Sequence, residues 1–381
     1  MKRQVGAEVV ESAMCWSRTR VFAPLLLLVI LSMLLPMLST NPASAITRSK
    51  GSGETAHKSG IPVVQWTNPD MQPKAVIVAL HGATQQAGSF DVLAKHLADQ
   101  GFAVVGLDLR GHGRWYFGPF QKLGGKTISY TQSVKDLQAL CGELRNQYPG
   151  LPLFCIGEST GGGVAMHAVG QEKNLFDGLV LASAGTRTNI FDWKLIIPDL
   201  CKGLTNLDKQ IDGSPYILKY ASEDKRIVNE MVADPLSRSF LSGKEIIKTL
   251  FFINSMQGAA RKLPQDLPVL LLQGGKDHIV SPATAEALLR NIGSDDKRMV
   301  VFQESGHVML GTSYIKEPIM NLVTKWLNDE TNAVNVKMEM AKNPITPNHV
   351  DPPHKALNPT AMVSQPSAML NHPASAATAV R

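Results

Sequence analysis

A serine at the centre of residues 157–161, which read Gly-Glu-Ser-Thr-Gly, has the setting of a nucleophile. A serine hydroxyl attacks a carbonyl carbon poorly unless a tight turn exposes it beside a base. The two flanking glycines remove side chains that would collide in a sharp turn from a strand into a helix. Because Ser159 follows a predicted strand and precedes a predicted helix, the pattern predicts a catalytic nucleophile rather than an ordinary Gly- and Ser-rich turn.

Such a serine needs a histidine as general base and a carboxylate that orients the histidine. Two further predicted strands are followed by loops that carry Asp277 and His307, and we interpret these residues as that acid and that base. Asp266 is a rival acid, but it precedes its strand and would therefore lie at the wrong end of the sheet. Glu158 and Glu304 are interpreted as local supports rather than as the acid.

Acyl transfer passes through an oxyanion, which backbone N–H groups can bind. Ala83 follows a predicted strand, and Thr160 begins the helix after the serine. We expect the N–H groups of Ala83 and Thr160 to form the oxyanion hole. His81 and His112 lie in neighbouring loops and are interpreted as structural.

The elements that must position these residues alternate along the chain. Apolar runs predict strands at 61–66, 75–80, 102–107, 153–156, 179–182, 268–272 and 299–302, and helical spacing predicts helices at 89–100, 131–148, 283–291 and 315–327. This alternation predicts an α/β fold with a mainly parallel sheet and helices on both faces. Ligands of such sheets bind at the carboxyl ends of the strands, where each residue discussed above is expected.

Three segments depart from the alternation. Residues 186–262 carry scattered aromatic and apolar residues without a clear buried strand, and we interpret them as a helical cap whose aromatic side chains bind an acyl chain. A purely structural helical subdomain is the alternative. Residues 46–60 are predicted to be a flexible linker, and the proline-containing residues 331–381 a disordered tail. The cap interpretation rests on the following residues: Trp193, Ile196, Ile197, Tyr216, Tyr220, Phe240, Phe251 and Phe252.

Residues 1–45 have the order of an export signal. Basic residues precede the apolar run at 21–38, which is followed by an Ala-Ser-Ala cleavage site that ends at Ala45. We therefore expect a secreted or exported protein, periplasmic or extracellular. In the alternative, residues 21–38 remain as an anchor that keeps the protein close to a membrane. Cys141, Cys155 and Cys201 follow the leader and show no disulfide pattern.

The charge distribution argues against nucleic acid as a partner. The formal net charge of +6 is small and scattered, without the basic patch that phosphate binding needs. No dinucleotide or phosphate loop is present, and the tail histidines His349, His354 and His372 are spaced too loosely for a metal site. We expect neither a cofactor nor a metal.

Taken together, the motifs resemble the monoacylglycerol lipase and lysophospholipase group of the α/β-hydrolase fold family, which is often classed with the serine aminopeptidase-like hydrolases. The resemblance covers about residues 60–330 and rests on residues 80–82, 108–113, 157–162, 274–277 and 306–307 and on the cap stretch 226–236. It implies an α/β-hydrolase domain over 61–330, with hydrolysis of a lipid-like or other apolar ester beneath the cap, and no cofactor.

Two residues depart from the group's usual pattern. Trp115 stands in an aromatic stretch where the group usually has a small residue, and Glu158 stands where many members have histidine. Neither departure touches the three residues predicted to act together, but both bear on the substrate.

Three hypotheses for function follow. The first is a serine hydrolase that cleaves a small-molecule or lipid ester through an acyl-enzyme. The second is an exported peptidase that removes N-terminal residues; it would need an acidic subsite such as Glu223, Asp224 and Asp234. The third is a non-catalytic ligand-binding protein of the same fold, which the complete set of Ser159, Asp277 and His307 disfavours.

Overall fold

The computed structural model describes residues 47–50, 60–118, 120–121, 125–185 and 206–342. The predicted export signal, most of the predicted linker, residues 186–205 of the predicted cap and the tail beyond Lys342 lie outside the described residues. Cys201 falls in one of those gaps, whereas Cys141 and Cys155 are buried free thiols. Among the helices of the described ranges, none is long and apolar enough to cross a membrane.

One large sheet forms the centre of the fold. The strands of the described residues are β1 (Thr47–Lys50), β2 (Val63–Thr67), β3 (Ala75–Leu80), β4 (Phe102–Leu107), β5 (Leu153–Glu158), β6 (Gly178–Ala182), β7 (Gln210–Asp212), β8 (Phe240–Ser242), β9 (Val269–Gly274) and β10 (Lys297–Phe302). Eight of them pair in the spatial order β1-β2-β4-β3-β5-β6-β9-β10. Only the β1–β2 and β2–β4 pairs are antiparallel within this sheet. The predicted mainly parallel sheet is therefore confirmed.

Helices cover both faces of this sheet. The α-helices of the described residues are α1 (Asp91–Asp99), α2 (Gly113–Phe117), α3 (Tyr130–Gln147), α4 (Thr160–Gln171), α5 (Ser214–Tyr220), α6 (Lys225–Ala233), α7 (Gly243–Ala260), α8 (Pro282–Asn291) and α9 (Glu317–Lys342). Alternate residues of β3 enter two different apolar clusters, because successive side chains of a strand point to opposite faces. Val76 and Val78 pack with α3, α4, α7 and α8, whereas Ile77 and Ala79 pack with α1 and α9.

The predicted linker and the predicted tail both had wrong boundaries. The predicted linker includes β1, which pairs along its whole length with β2 at the edge of the sheet. Polar edge strands lack the apolar runs that mark buried strands, so composition alone favoured a linker. The predicted tail includes the second half of α9. This helix continues past residue 331 because Thr331 is buried and Val334 packs against the apolar core.

The segment between β6 and β9 contains more than helices. Strands β7 and β8 form an antiparallel pair, and helices α5 and α6 form a small apolar cluster of their own with Val308. Helix α7 is not part of this cluster, and its residues Met256, Ala259 and Ala260 are buried in the main core. The predicted cap over 186–262 therefore includes, near its end, residues of α7 that are buried in the main core.

Candidate active site

Ser159 occupies the sharp turn between β5 and α4. Its backbone has φ 53° and ψ −116°, a left-handed conformation that non-glycine residues adopt at an energetic cost. The neighbouring glycines are required sterically, because a Cβ on Gly161 would lie 2.2 Å from the carbonyl oxygen of Leu80, and one on Gly157 would lie 2.6 Å from the Cα of Gly162. The strand, the turn and the helix therefore hold the serine in the strained position that the pentapeptide predicted.

His307 lies on the loop after β10 and reaches the serine. Its Nε2 is 2.9 Å from the Oγ of Ser159, and its Nδ1 is 2.9 Å from the Oδ2 of Asp277. A carboxylate at Nδ1 favours the tautomer with the proton on Nδ1, which leaves Nε2 as an acceptor for the serine hydroxyl. The structure thus brings together the three residues that the sequence predicted, from three separate loops.

Asp277 is fixed by bonds of its own. Its Oδ1 accepts the N–H groups of Ile279 and Val280, each at 2.8 Å. The amide of Gln273, in β9, donates to Oδ2 at 3.2 Å. The carboxylate therefore cannot turn away from His307 without losing these bonds. Asp266 precedes β9, at the other end of that strand, so the structure does not bring it to the serine.

The environment of the His307–Asp277 pair favours the charged form of both groups. Burial lowers the pKa of His307, but the negative charge of Asp277, its hydrogen bond and the charge of Glu158 together raise the pKa above its ordinary value. Burial likewise raises the pKa of Asp277, and the charge and hydrogen bond of His307 outweigh burial and hold that pKa below its usual range. An imidazolium formed during proton transfer would therefore be stabilised by Asp277.

The turn predicted to supply an oxyanion donor lies beside the serine. A Cβ on Gly82 would be 3.4 Å from the Cβ of Ser159, and the next residue is Ala83. Thr160 is the first residue of α4, and the first N–H groups of a helix have no acceptor within the helix. Thr160 thus directly follows the serine, and Ala83 directly follows a residue packed beside it; their role as an oxyanion hole stays a prediction.

Comparison with known proteins places the chain in a family. A family model described as "Serine aminopeptidase, S33" matches residues 71–313, which is more than half of the chain. The chain belongs to this family. The chain is 27% identical over 271 residues to the monoacylglycerol lipase of Mycolicibacterium smegmatis, an alignment that covers 69% of this chain and 90% of that one. It is 26% identical over 282 residues to the human monoglyceride lipase, covering 70% and 86% of the two chains.

The fold agrees with this assignment. The crystal structure of Paleococcus ferrophilus monoacylglycerol lipase superposes with a TM-score of 0.58 at 21% identity, over 71% of this chain and 99% of that one. The S33 chain therefore has the α/β-hydrolase fold, as the resemblance implied, and it is a serine hydrolase.

Other polar residues of the S33 domain have structural partners. The backbone N–H of Leu109 donates to Nε2 of His81 at 3.0 Å, and Nδ1 of the same ring lies 2.7 Å from the carbonyl of Gly82. Both nitrogens are used, and burial lowers the pKa of His81, which fits the structural role predicted for it. His112 is buried against His81, with ring centroids 5.4 Å apart. Within the described residues, no group of His, Cys, Asp and Glu could hold a metal ion.

The residues proposed for a peptidase subsite are engaged elsewhere. Glu223 pairs with His278 at 2.9 Å, and Asp224 pairs with Arg226 at 2.6 Å and caps α6. Asp234 accepts a hydrogen bond from Gln86 at 3.0 Å. Glu223 is exposed and Asp224 is half-buried.

Two of the described cap aromatics, Phe251 and Phe252, lie along a groove that does not include the serine. The ring of Phe252 stacks on Tyr130, with centroids 4.0 Å apart and planes 4° apart, and Phe251 is 73% exposed. Both rings line a groove of about 480 Å³ between α3, α4 and α7, whose lining includes His167 but none of the predicted catalytic residues. The acyl-binding role of the aromatic residues therefore stays a prediction.

Sequence reasoning underestimated one residue. Glu158 was interpreted only as a local support, yet its carboxylate accepts the N–H groups of Met309, Leu310 and Gly311 at 2.7, 2.9 and 3.0 Å. These partners are about 150 positions away in the chain, so only its place beside the serine could have signalled it. Glu304, interpreted in the same way, is exposed and pairs with Lys276.

Proposed function

We propose that the protein hydrolyses carboxylic esters of lipid-like acyl groups, such as monoacylglycerols, by a Ser-His-Asp acyl-enzyme mechanism. The observation that carries this proposal is the hydrogen-bonded chain from Ser159 through His307 to Asp277, with 2.9 Å at each link. The substrate class is supported by the relatives, which are named monoacylglycerol and monoglyceride lipases.

In the proposed mechanism each residue has its own step. Ser159 Oγ attacks the acyl carbonyl carbon while its proton passes to Nε2 of His307. The tetrahedral oxyanion accepts hydrogen bonds from the N–H groups of Ala83 and Thr160. The imidazolium then protonates the alcohol that leaves, and the acyl group stays on Ser159. Water, deprotonated by the same nitrogen, releases the acid and restores the serine.

The cap would act through the loop that carries the histidine. The N–H of Val308 donates to the carbonyl of Ala221 at 3.0 Å, and Glu230 on α6 accepts hydrogen bonds from Thr312 and Ser313. A substrate held under α5 and α6 would therefore lie against the same loop as His307.

We further propose that the export signal of residues 1–45 sends this enzyme out of the cytoplasm.

The test is hydrolysis of a panel by purified residues 46–381. The panel contains p-nitrophenyl esters from acetate to palmitate, a monoacylglycerol and an aminoacyl p-nitroanilide. Ser159→Ala should lower ester turnover by about 10⁴- to 10⁶-fold, and Ser255→Ala, an exposed serine on α7, should match the wild type. Fluorophosphonate should label the wild type and Ser255→Ala but not Ser159→Ala.

The outcomes separate the three hypotheses. Ester turnover that Ser159→Ala abolishes supports the proposal, and its chain-length profile sizes the acyl site. Turnover of the anilide alone would move the protein to the aminopeptidases that the family description names. Silence across the panel with Ser159 unlabelled would refute the hydrolase mechanism and favour the binding protein. Export is tested separately, by the N-terminal sequence of the mature protein, which should begin at Ile46.

A further inference from the structure

One buried carboxylate binds the backbone of the loop that carries His307. Glu158 is 1% exposed and directly precedes Ser159 in the chain. Its Oε1 accepts the N–H groups of Met309 and Leu310, and its Oε2 accepts the N–H of Gly311. Three successive N–H groups thus converge on one side chain, which is an arrangement that binds an anion.

The fit between the carboxylate and the loop leaves no spare room. A Cβ on Gly311 would lie 2.8 Å from Oε2 of Glu158 and 2.8 Å from Nε2 of Gln85. An ordinary non-bonded carbon contact is about 3.5–4.0 Å, so any larger residue at this position would push the loop and the carboxylate apart. The loop is therefore shaped to bring its backbone to Glu158.

Gln85 connects the same loop to the turn of the predicted oxyanion hole. Its Nε2 donates to the carbonyl of Gly311 at 2.7 Å, and its Oε1 accepts the N–H of Gly82 at 3.3 Å. The nucleophile turn, the histidine loop and the turn before Ala83 consequently share one buried hydrogen-bonded network. A displacement of the histidine loop would therefore also move the nucleophile turn and the turn before Ala83.

We propose that Glu158 is a positioning residue, which fixes the loop after His307 against the nucleophile turn so that the imidazole stays aligned with Ser159; this inference rests on the proposed ester hydrolysis. The hydrogen bonds of Glu158 go to the backbone of residues 309–311, so it acts through this backbone rather than on the reacting atoms. A glutamine in its place could still accept two of the N–H groups, but its NH₂ group would oppose the third donor.

The charge of Glu158 adds a measurable signature. Asp277 and, to a smaller extent, Glu158 are the negative groups that raise the pKa of His307, and burial raises the pKa of Glu158 itself. Loss of the negative charge at position 158 should therefore move the acidic limb of kcat/KM to lower pH, while Asp277 remains in place. A side chain that only filled space would leave this limb where it is.

The experiment compares four proteins in ester hydrolysis: the wild type, Glu158→Gln, Gly311→Ala and Glu304→Gln. Misplacement of a catalytic group by about 1 Å can cost on the order of 100-fold. We expect Glu158→Gln to lose about 10- to 100-fold in kcat at unchanged KM, with its acidic limb at lower pH. Gly311→Ala should lose kcat without this shift in pH. Glu304→Gln removes an exposed carboxylate of the same loop region and should match the wild type.

Wild-type kcat and an unmoved acidic limb in Glu158→Gln would overturn the inference. If Glu158→Gln does not unfold cooperatively, Gly311→Ala decides, and wild-type kcat in that variant overturns it. If the wild type itself neither turns over esters nor reacts with fluorophosphonate, the proposed function has failed, and the inference falls with it.

Discussion

Arg238 is buried where the cap meets the carboxyl ends of the strands, and its replacement offers a quantitative test of the structure. Its side chain is 2% exposed. Its Nη2 donates to both oxygens of Glu245 at 2.9 and 2.7 Å, and its Nη1 donates to the carbonyl of Gly111 at 2.8 Å. The guanidinium carbon lies 4.0 Å from the centre of the Tyr116 ring. We predict the consequences of Arg238→Met, which keeps the length of the side chain and removes its charge.

The magnitude follows from what remains after the substitution. A buried ion pair as a whole contributes little, because the loss of hydration offsets the attraction between the charges. Removal of one partner is different, because it leaves Glu245 buried and charged, which typically costs about 3–5 kcal/mol. Glu245 keeps the N–H groups of Ser242 and Ile128, so we expect the lower end, about 3 kcal/mol of unfolding free energy.

The dependence on pH supplies a second measurement. Burial raises the pKa of Glu245, but the hydrogen bonds from Ser242 and Arg238 outweigh burial and hold it below its usual range. A carboxyl whose pKa is depressed by folding stabilises the fold above its unfolded pKa, about 4.3. This contribution is lost as the pH falls through the folded pKa. The difference between the wild type and Arg238→Met should therefore be largest near neutral pH and should shrink below about pH 4.

Urea unfolding followed by circular dichroism measures both effects. Arg226→Met is the matched control, because Arg226 is an exposed arginine of the cap that pairs with Asp224, and exposed pairs contribute little to stability. We expect no measurable change in that control. A loss in Arg238→Met below about 1 kcal/mol, or a loss that does not vary with pH, would refute the assignment of a buried, charge-bearing contact.

Three further predictions concern the pH dependence of His307 and the replacement of two glycines. Since proton transfer needs unprotonated His307 and its pKa is raised, activity should fall as the pH drops through a midpoint of kcat/KM above the ordinary 6.5; a midpoint at or below 6.5 would contradict this reasoning. Gly161→Ala, whose Cβ would lie 2.2 Å from the carbonyl oxygen of Leu80, should cost about 3 kcal/mol or prevent folding. Gly142→Ala, whose Cβ would meet nothing within 4 Å, should stabilise α3 by about 0.5–1 kcal/mol. Equal unfolding midpoints for Gly161→Ala and Gly142→Ala would contradict the close approach of residue 161 to Leu80.

The buried strands were predictable because the sequence of each strand is enough to identify it. Continuous apolar runs placed β3 and β4 correctly to the residue, since strands of a parallel sheet are buried on both faces. Strands β1, β7 and β8 were missed. Each is only three or four residues long, and each forms through pairing with a partner elsewhere in the chain. Their residues carry no period that composition could reveal.

The site was predictable for a different reason. Ser159, Asp277 and His307 each follow a predicted strand, and the geometry of parallel sheets brings such positions to one edge. The partners of Glu158 could not be predicted in this way, because they are backbone N–H groups of residues 309–311. Backbone groups have the same chemistry at every position. The burial of the end of α7 in the main core could not be predicted either, because apolar residues have the same pattern whether they pack under a cap or in the core.

Helix α7 has a consequence for how substrate preference can change within this family. The helix begins with a capping box at β8, formed by Ser242 and Glu245, and ends among the core side chains that surround Met256. Because α7 belongs to the cap at one end and to the core at the other, the cap cannot be exchanged between relatives as an independent unit. Any such exchange would place a chimera junction inside the helix. Sequence changes that alter substrate preference should therefore accumulate in the residues before α7. Chimeras between relatives should fold only when α7 and the core domain come from the same parent.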